Sequence, residues 1–348
     1  MKLFAACLLL CAYVIPLHGK AQDENASVKS YQNYDFVPGD KIIFADDFSD
    51  DRDGEFPAHW ELVNGQGAVN KTDGYEAFAL SDGNNAKVKP RVKAASYLTN
   101  EFTVEFDTYF PEGGYPFTVF LYAAGSSDDE DAHIGINETT AEYYANADNY
   151  TLSANLPDAL NNDNYIRKWH HIALAYKDKQ LKVYVDQYRV LTVPDTHIIP
   201  AKLQLGGLAT QQAPVVFRNV KIASGGGMNM IGKKFTDAKI VTHGINFDVD
   251  KATIRPESMG TLNQIKQLMA DNPDVKFEID GHTDNSGTSA HNLTLSQQRA
   301  DAVKTRLVEM GVSGLRLTTK GLGDTKPLSD NTTPEGKANN RRVEFVKQ

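Results

Sequence analysis

The stretch KFEIDGHTD at residues 276–284 decides how the last third of the chain is interpreted. Phe277 and Ile279 alternate with polar residues, and alternation with a period of two is typical of a half-buried β-strand. The polar residues that follow leave the strand at its carboxyl end. The pattern therefore predicts a strand that delivers Thr283 and Asp284 to a loop at the rim of a sheet.

The residues on either side of this strand predict an α/β domain. A first helix is predicted to open at Pro256, since proline is favoured at the first helical position. A second is predicted from Ser296, as its N-cap, to Met310. Further strands are predicted at residues 240–247, 315–321 and 342–346. The order β-α-β-α-β-β predicts a compact α/β sandwich. An apolar stripe at helical spacing marks the first helix: Met259, Leu262, Ile265, Leu268 and Met269.

Two opposite charges are predicted to meet at one end of this domain. An N-cap at Ser296 places Arg299 in the first turn of its helix, beside the loop that carries Asp284. A carboxylate next to a guanidinium suits a zwitterionic ligand, because one holds an ammonium and the other holds a carboxylate in bidentate fashion. From the residues alone, a purely structural ion pair is an equal alternative.

Four motifs carry a resemblance to a known family. They are Gly-His-Thr-Asp at residues 281–284, Leu-Ser-Gln-Gln-Arg-Ala at 295–300, Gly-Leu-Gly-Asp at 321–324 and Asn-Arg-Arg-Val-Glu at 340–344. In this order they resemble the OmpA-like peptidoglycan-binding domain, which also occurs in peptidoglycan-associated lipoproteins and flagellar motor stators. The resemblance covers residues 235–348.

The resemblance implies a non-catalytic domain that binds the diaminopimelate residue of the peptidoglycan stem peptide. Asp284 matches the family's acidic residue for the diaminopimelate ammonium, and Arg299 matches the arginine for its carboxylate. The remaining matches line the pocket or its edge: Asp248, Thr283, Asn292 and Arg341.

The preceding part of the chain, residues 35–223, is predicted to be all-β. Apolar and polar residues alternate in several runs, and turn-forming clusters separate them. The runs at 169–176 (Trp-His-His-Ile-Ala-Leu-Ala-Tyr) and 181–187 (Leu-Lys-Val-Tyr-Val-Asp-Gln) resemble laminin-G/concanavalin-A-like domains. The resemblance implies a jelly-roll sandwich that binds glycans or proteins, in some members with calcium, while other members are glycosidases.

Two acidic features of this part leave alternatives open. Glu101, Glu105 and Asp107 share one strand face, which suits either retaining glycoside chemistry or a solvated outer face. Residues 46–53 form an acidic loop in which the run Ser49–Gly54 half-resembles a calcium loop, but Trp60 stands where a bidentate glutamate is needed, and a solvated acidic turn is the alternative. We therefore predict no cofactor, with calcium in the β-sandwich as the alternative.

The domain boundaries and the linker are predicted from the composition of the chain. Residues 1–21 are predicted to be a signal peptide, 22–34 a flexible lead-in and 224–232 a Gly-rich linker, which leaves 233–348 for the second domain. Both cysteines of the chain, Cys7 and Cys11, lie in the predicted signal peptide, so the exported protein uses no disulfides.

Taken together, the sequence predicts a non-catalytic protein of a Gram-negative envelope, in the periplasm or associated with the outer membrane. The partners predicted are peptidoglycan and, for the sandwich, a glycan or an envelope protein, with membrane association peripheral or through a partner. The net charge of −9 argues against nucleic acid. The alternatives are a wall-anchored glycan hydrolase and an outer-membrane barrel with a periplasmic anchor.

Overall fold

The computed structural model describes residues 34–126, 129–225 and 238–348. The predicted signal peptide therefore lies outside the described residues, as do nearly all of the predicted lead-in and most of the predicted linker. Within the described ranges, no helix combines the length and the apolar character needed to cross a membrane.

The described residues before the linker form an all-β sandwich, as predicted. One sheet has eight strands and the other has seven, and the paired strands are antiparallel. The strands are β1 (Lys41–Asp46), β2 (Trp60–Asn64), β3 (Gln66–Thr72), β4 (Tyr75–Ser81), β5 (Gly83–Pro90), β6 (Glu101–Phe110), β7 (Phe117–Ala123), β8 (Ala132–Ile136), β9 (Thr140–Ala145), β10 (Tyr150–Asn155), β11 (Lys168–Lys177), β12 (Gln180–Val185), β13 (Tyr188–Val193), β14 (Pro200–Ala209) and β15 (Val215–Ser224).

The two sheets enclose one aromatic-rich core. The larger sheet runs in the order β13-β12-β11-β6-β15-β4-β3, with β1 also paired to β15, and the smaller runs β10-β9-β8-β7-β14-β5-β2. Phe106 of the larger sheet stacks on Phe117 of the smaller at 4.5 Å between ring centroids, and Phe117 meets Phe217 edge-on at 5.7 Å. Burial of such rings supplies the main driving force for closing the sandwich.

The C-terminal domain is an α/β sandwich, as predicted. Its sheet runs in the order β16-β19-β17-β18, and β17 and β18 are parallel while the other pairs are antiparallel. Phe277, Ile279 and Phe345 of the sheet pack against Leu262 and Val303 of the two long helices. The elements are β16 (Lys239–Thr242), α1 (Met259–Asp271), β17 (Phe277–His282), α2 (Ser289–Glu309), β18 (Leu317–Gly323), α3 (Pro334–Asn340) and β19 (Val343–Lys347).

The start of α2 differs from the prediction. The helix begins at Ser289, and its N-cap is Thr288, whose hydroxyl accepts the His291 N–H. Ser296, predicted as the N-cap, is fully buried inside the helix, where its hydroxyl donates to the Leu293 carbonyl. Arg299 therefore lies about three turns into α2 rather than in its first turn. The short helix α3 was not predicted.

The two domains are in direct contact on the outer face of the eight-stranded sheet. Ile42 and Ala45 of β1 form an apolar cluster with Ala338 of α3. Lys221 of β15 donates to the Asn246 side chain at 3.1 Å. Tyr34, at the end of the predicted lead-in, is 8% exposed and packs against the same sheet. The described parts of the two domains thus form a continuous interface.

Gly260 in the first turn of α1 lies against the backbone of the sandwich domain. A Cβ at this position would lie 1.9 Å from the Phe36 carbonyl oxygen, which belongs to backbone and has little freedom to move. We expect Gly260→Ala to lower the free energy of unfolding by about 1–3 kcal/mol, as overpacking typically does. Urea unfolding checks this. Gly314→Ala is the control, since its Cβ would meet only Val308 at 3.4 Å, and an equal loss there would contradict the argument.

Candidate functional site

The loop after β17 presents Asp284 at the predicted position. Asp284 is 7% exposed; one carboxylate oxygen accepts the Ser286 N–H at 2.9 Å, and the other accepts from Arg341 at 2.6 Å. Burial acts to raise the pKa of this carboxyl, but the bonds from Ser286 and Arg341 outweigh it and hold the pKa below its usual range. Asp284 is therefore an anion at neutral pH.

Arg299 is fixed by the loop that follows Phe247. Its Nε donates to the Lys251 carbonyl at 2.9 Å, and one terminal nitrogen donates to the Asp248 carbonyl at 3.4 Å. The guanidinium also lies 5.0 Å from the centre of the Phe247 ring, within cation–π range. Asp248 thus acts on Arg299 through its backbone, a role that no side-chain motif could have indicated. The other guanidinium donors stay available to a ligand.

Two further predicted residues shape the floor of this loop. Asn292 of α2 is 4% exposed, and its side-chain amide donates to the Asp284 carbonyl at 3.1 Å, which fixes the loop onto the helix. Thr283 is 6% exposed, and among the described residues its buried hydroxyl has no hydrogen-bond partner. A buried hydroxyl without a partner is uncommon and marks a place where a bound group could complete the network.

These groups line one cavity of about 510 Å³ between the two domains. Thr283, Asp284, Asn292, Arg299 and Arg341 all lie on its wall, whereas the Asp248 side chain does not. The structure therefore brings together five of the six predicted residues around a space large enough for a small ligand.

The sandwich supplies the opposite wall of this cavity, which the sequence did not indicate. Asp47 lies 3.8 Å from Arg341, and Asp50 lies 3.6 Å from Lys337. Both acids belong to the loop after β1 and were predicted to form either a calcium loop or a solvated turn. Only the tertiary structure places this loop against basic residues about 290 positions later in the chain.

Glu105 and Asp107 do not lie on a solvated outer face, so that expectation is wrong for both. They are 3% and 2% exposed, because the C-terminal domain covers this part of the sheet. His171 lies between them, with Nδ1 2.9 Å from Asp107 and Nε2 3.5 Å from Glu105. Burial acts to lower the pKa of His171, but its hydrogen bond to Asp107 and the nearby negative charge of Glu105 outweigh this and raise the pKa to about 10. His171 is therefore a cation that bridges two anions.

Comparison with known proteins identifies the family of the C-terminal domain. The model of the OmpA family matches residues 246–341, which span the cavity wall from the Arg299-holding loop to Arg341. These residues form an OmpA family domain. The rest of the site geometry, including the wall from the sandwich, lies outside the match.

Two relatives of the OmpA family domain carry names that refer to the outer membrane or to peptidoglycan. Outer membrane porin F of Pseudomonas fluorescens is 45% identical over 100 residues, which are 29% of this chain and 31% of the relative. The peptidoglycan-binding protein ArfA of Mycobacterium tuberculosis is 44% identical over 102 residues, 29% of this chain and 31% of the relative. The chain spans only 29% to 47% of the length of the first three curated relatives.

Among solved structures, the peptidoglycan-associated lipoprotein of Burkholderia pseudomallei is similar to the same region. It is 30% identical with a TM-score of 0.30, and the match covers 35% of this chain and 98% of that protein.

Proposed function

We propose that the OmpA family domain binds peptidoglycan through the diaminopimelate of its stem peptide. In this proposal the Asp284 carboxylate receives the ammonium and the Arg299 guanidinium receives the free carboxylate. The observation that carries the proposal is the placement of these opposite charges on one cavity wall. The OmpA family match and the printed name of ArfA support the same ligand.

The partners of Asp284 leave room for such a ligand. A carboxylate offers about four lone-pair positions, and Ser286 and Arg341 use two of them. An ammonium can take the others, and the free hydroxyl of Thr283 lies on the same wall. Arg341 then serves to hold Asp284 in place and to keep it ionised, rather than to bind the diaminopimelate carboxylate itself.

We further propose that the protein is not an enzyme. A retaining glycosidase needs one carboxyl group that is protonated at working pH, with a raised pKa, beside an ionised one. Burial acts to raise the pKa of Glu105, but Lys221 and His171 outweigh it and lower the pKa. The pKa of Asp107 is lowered as well, because bonds from His171 outweigh the effect of burial. With both carboxyls ionised, neither suits the role of general acid.

For the sandwich, we propose a jelly roll of the laminin-G/concanavalin-A-like kind that presents a second surface to a glycan or an envelope protein. The antiparallel sheets and their common core support this fold. The protein would act in the periplasm or against the outer membrane, in keeping with the names of its relatives.

The ligand assignment is tested with two soluble muropeptides that differ at the third residue of the stem. Diaminopimelate carries an ammonium and a carboxylate at its side-chain end, whereas lysine carries the ammonium alone. Loss of the charge-assisted bonds to Arg299 is worth about 1.5–3 kcal/mol, so calorimetry should find the lysine form bound about 10- to 150-fold more weakly. Equal affinity for both would contradict the proposal.

A further inference from the structure

Three side chains of types that can bind metal ions lie close together at the base of the loop between β1 and β2. Asp46 ends β1, Asp51 lies within the loop, and His59 immediately precedes β2. One donor atom from each lies within 4.8 Å of the others. We call these three residues the Asp46–Asp51–His59 cluster. It shares no residue with the proposed diaminopimelate site, although Asp46 also lies on the wall of the same cavity.

Both carboxylates of the cluster are held in orientation by fixed donors. One oxygen of Asp46 accepts the Phe48 N–H at 2.8 Å, and the other accepts the indole N–H of Trp60 at 2.9 Å. One oxygen of Asp51 accepts the Ala58 N–H at 2.9 Å. Such outer hydrogen bonds to the ligating groups are the usual companions of a metal centre, because they fix the direction of the lone pairs.

Two donor atoms of the cluster, one from Asp51 and one from His59, lack partners among the described residues. Oδ2 of Asp51 and Nδ1 of His59 are shielded from solvent, and neither has a hydrogen-bond partner among the described residues. Nδ1 of His59 is 3.6 Å from Oδ2 of Asp46, which is too long for a hydrogen bond. Buried polar atoms without partners are rare and call for a water or an ion between them.

We propose that the Asp46–Asp51–His59 cluster binds a divalent transition-metal cation of the zinc type. Zinc accepts both imidazole and carboxylate ligands, and three protein ligands leave one position for water. Calcium prefers six to eight oxygen ligands and does not favour imidazole. The acid-rich residues that suggested a calcium loop thus contribute through Asp51, while Asp53 is not part of the cluster.

Burial supports this interpretation. The Asp46 side chain is only 3% exposed. A buried carboxylate close to a second acid is costly unless a cation compensates it. Because the loop that leaves Asp46 also carries Asp47 and Asp50, a bound cation would fix the wall that faces Arg341 and Lys337.

The test is calorimetric titration of the metal-stripped protein with zinc chloride, with calcium and magnesium chloride in parallel. We expect one zinc ion per chain, a rise in melting temperature on binding, and much weaker binding of calcium and magnesium. Asp51→Asn keeps the side-chain shape and the oxygen that accepts from Ala58, so it tests the ligand and not the fold. It and His59→Gln should each weaken zinc binding about tenfold or more.

Matched controls separate the cluster from other zinc-binding surfaces. Asp53→Asn removes an exposed acid of the same loop, and His197→Gln removes a histidine that pairs with Asp148 elsewhere in the sandwich. Both controls should leave zinc affinity unchanged. The proposal is overturned if zinc does not bind in the micromolar range, if calcium binds more tightly, or if Asp51→Asn and His59→Gln bind zinc like the unaltered protein. Failure of zinc binding would leave the diaminopimelate proposal standing, because muropeptide affinity is measured separately.

Discussion

Arg299→Ala is expected to lower the affinity for a diaminopimelate muropeptide by about two orders of magnitude or more. Truncating one partner of a buried charge pair costs about 2–5 kcal/mol, much of it because the other charge is left without a partner. In this protein the ligand carboxylate would face a cavity from which the guanidinium has been removed. Calorimetry with the purified protein measures the loss, and circular dichroism checks that the fold is retained.

Two variants isolate the role of the guanidinium. Arg299→Lys keeps a positive charge but loses the planar fork that bonds a carboxylate twice, so we expect an intermediate affinity. Arg306→Ala removes an exposed arginine of the same helix, which pairs with Glu309 outside the cavity, and should bind normally. Equal weakening in Arg306→Ala would indicate a general charge effect instead of a specific site.

Asp284→Asn provides the matching test on the acidic side. The amide retains an oxygen that can accept from Ser286, so the loop geometry should survive while the ammonium loses its anion. A large loss of affinity is expected here too. If both Asp284→Asn and Arg299→Ala bind the muropeptide like the unaltered protein, the ligand is held elsewhere and the proposed function fails.

The local sequence was sufficient to predict on which side of the domain Asp284 and Arg299 lie. Thr283 and Asp284 follow an alternating strand directly, so their place at the rim depends only on where that strand ends. Arg299 was predicted to face the same rim from a helix with the wrong start. Arg299 still lies on the same cavity wall as Asp284, because adding turns before Ser296 lengthens α2 without rotating the face that carries Arg299.

The part of the cavity wall that the sandwich supplies could not be predicted from local sequence patterns. Glu105 and Asp107 alternate along β6 like the solvent-facing residues of any half-buried strand. What buries them is a second domain whose contact residues come more than 100 positions later, such as Arg255, which lies 3.8 Å from Asp107. Pattern analysis assigns the face of a strand correctly but does not reveal what covers that face.

The placement of these acids has a consequence for the cavity. Asp47 lies close to Arg341, and Asp50 lies close to Lys337, so the acids offset part of the positive charge of these two residues. This part of the cavity wall therefore carries charges of both signs. The charge of the cavity thus depends on the contact between the two domains.

The second large effect is expected at His171. Its replacement by phenylalanine keeps a ring of similar size in place but leaves Glu105 and Asp107 as buried anions without the cation that bridges them. Breaking a buried pair in this way costs about 3–5 kcal/mol, and urea unfolding near pH 7 should show a loss of that size. His197→Phe, at a more exposed histidine that pairs with Asp148, should cost less than about 1 kcal/mol.

The pH dependence gives an independent check of the same charge. The pKa of His171 rises to about 10 in the folded state from about 6.5, so the stabilisation is complete below pH 6.5 and disappears as the pH rises through about 10. The difference in unfolding free energy between the unaltered protein and His171→Phe should shrink over that range. Adding Glu105→Gln to His171→Phe removes one of the two anions that lose His171 and should restore part of the loss. A constant difference, or no recovery, would mean that packing and not charge accounts for the effect of His171.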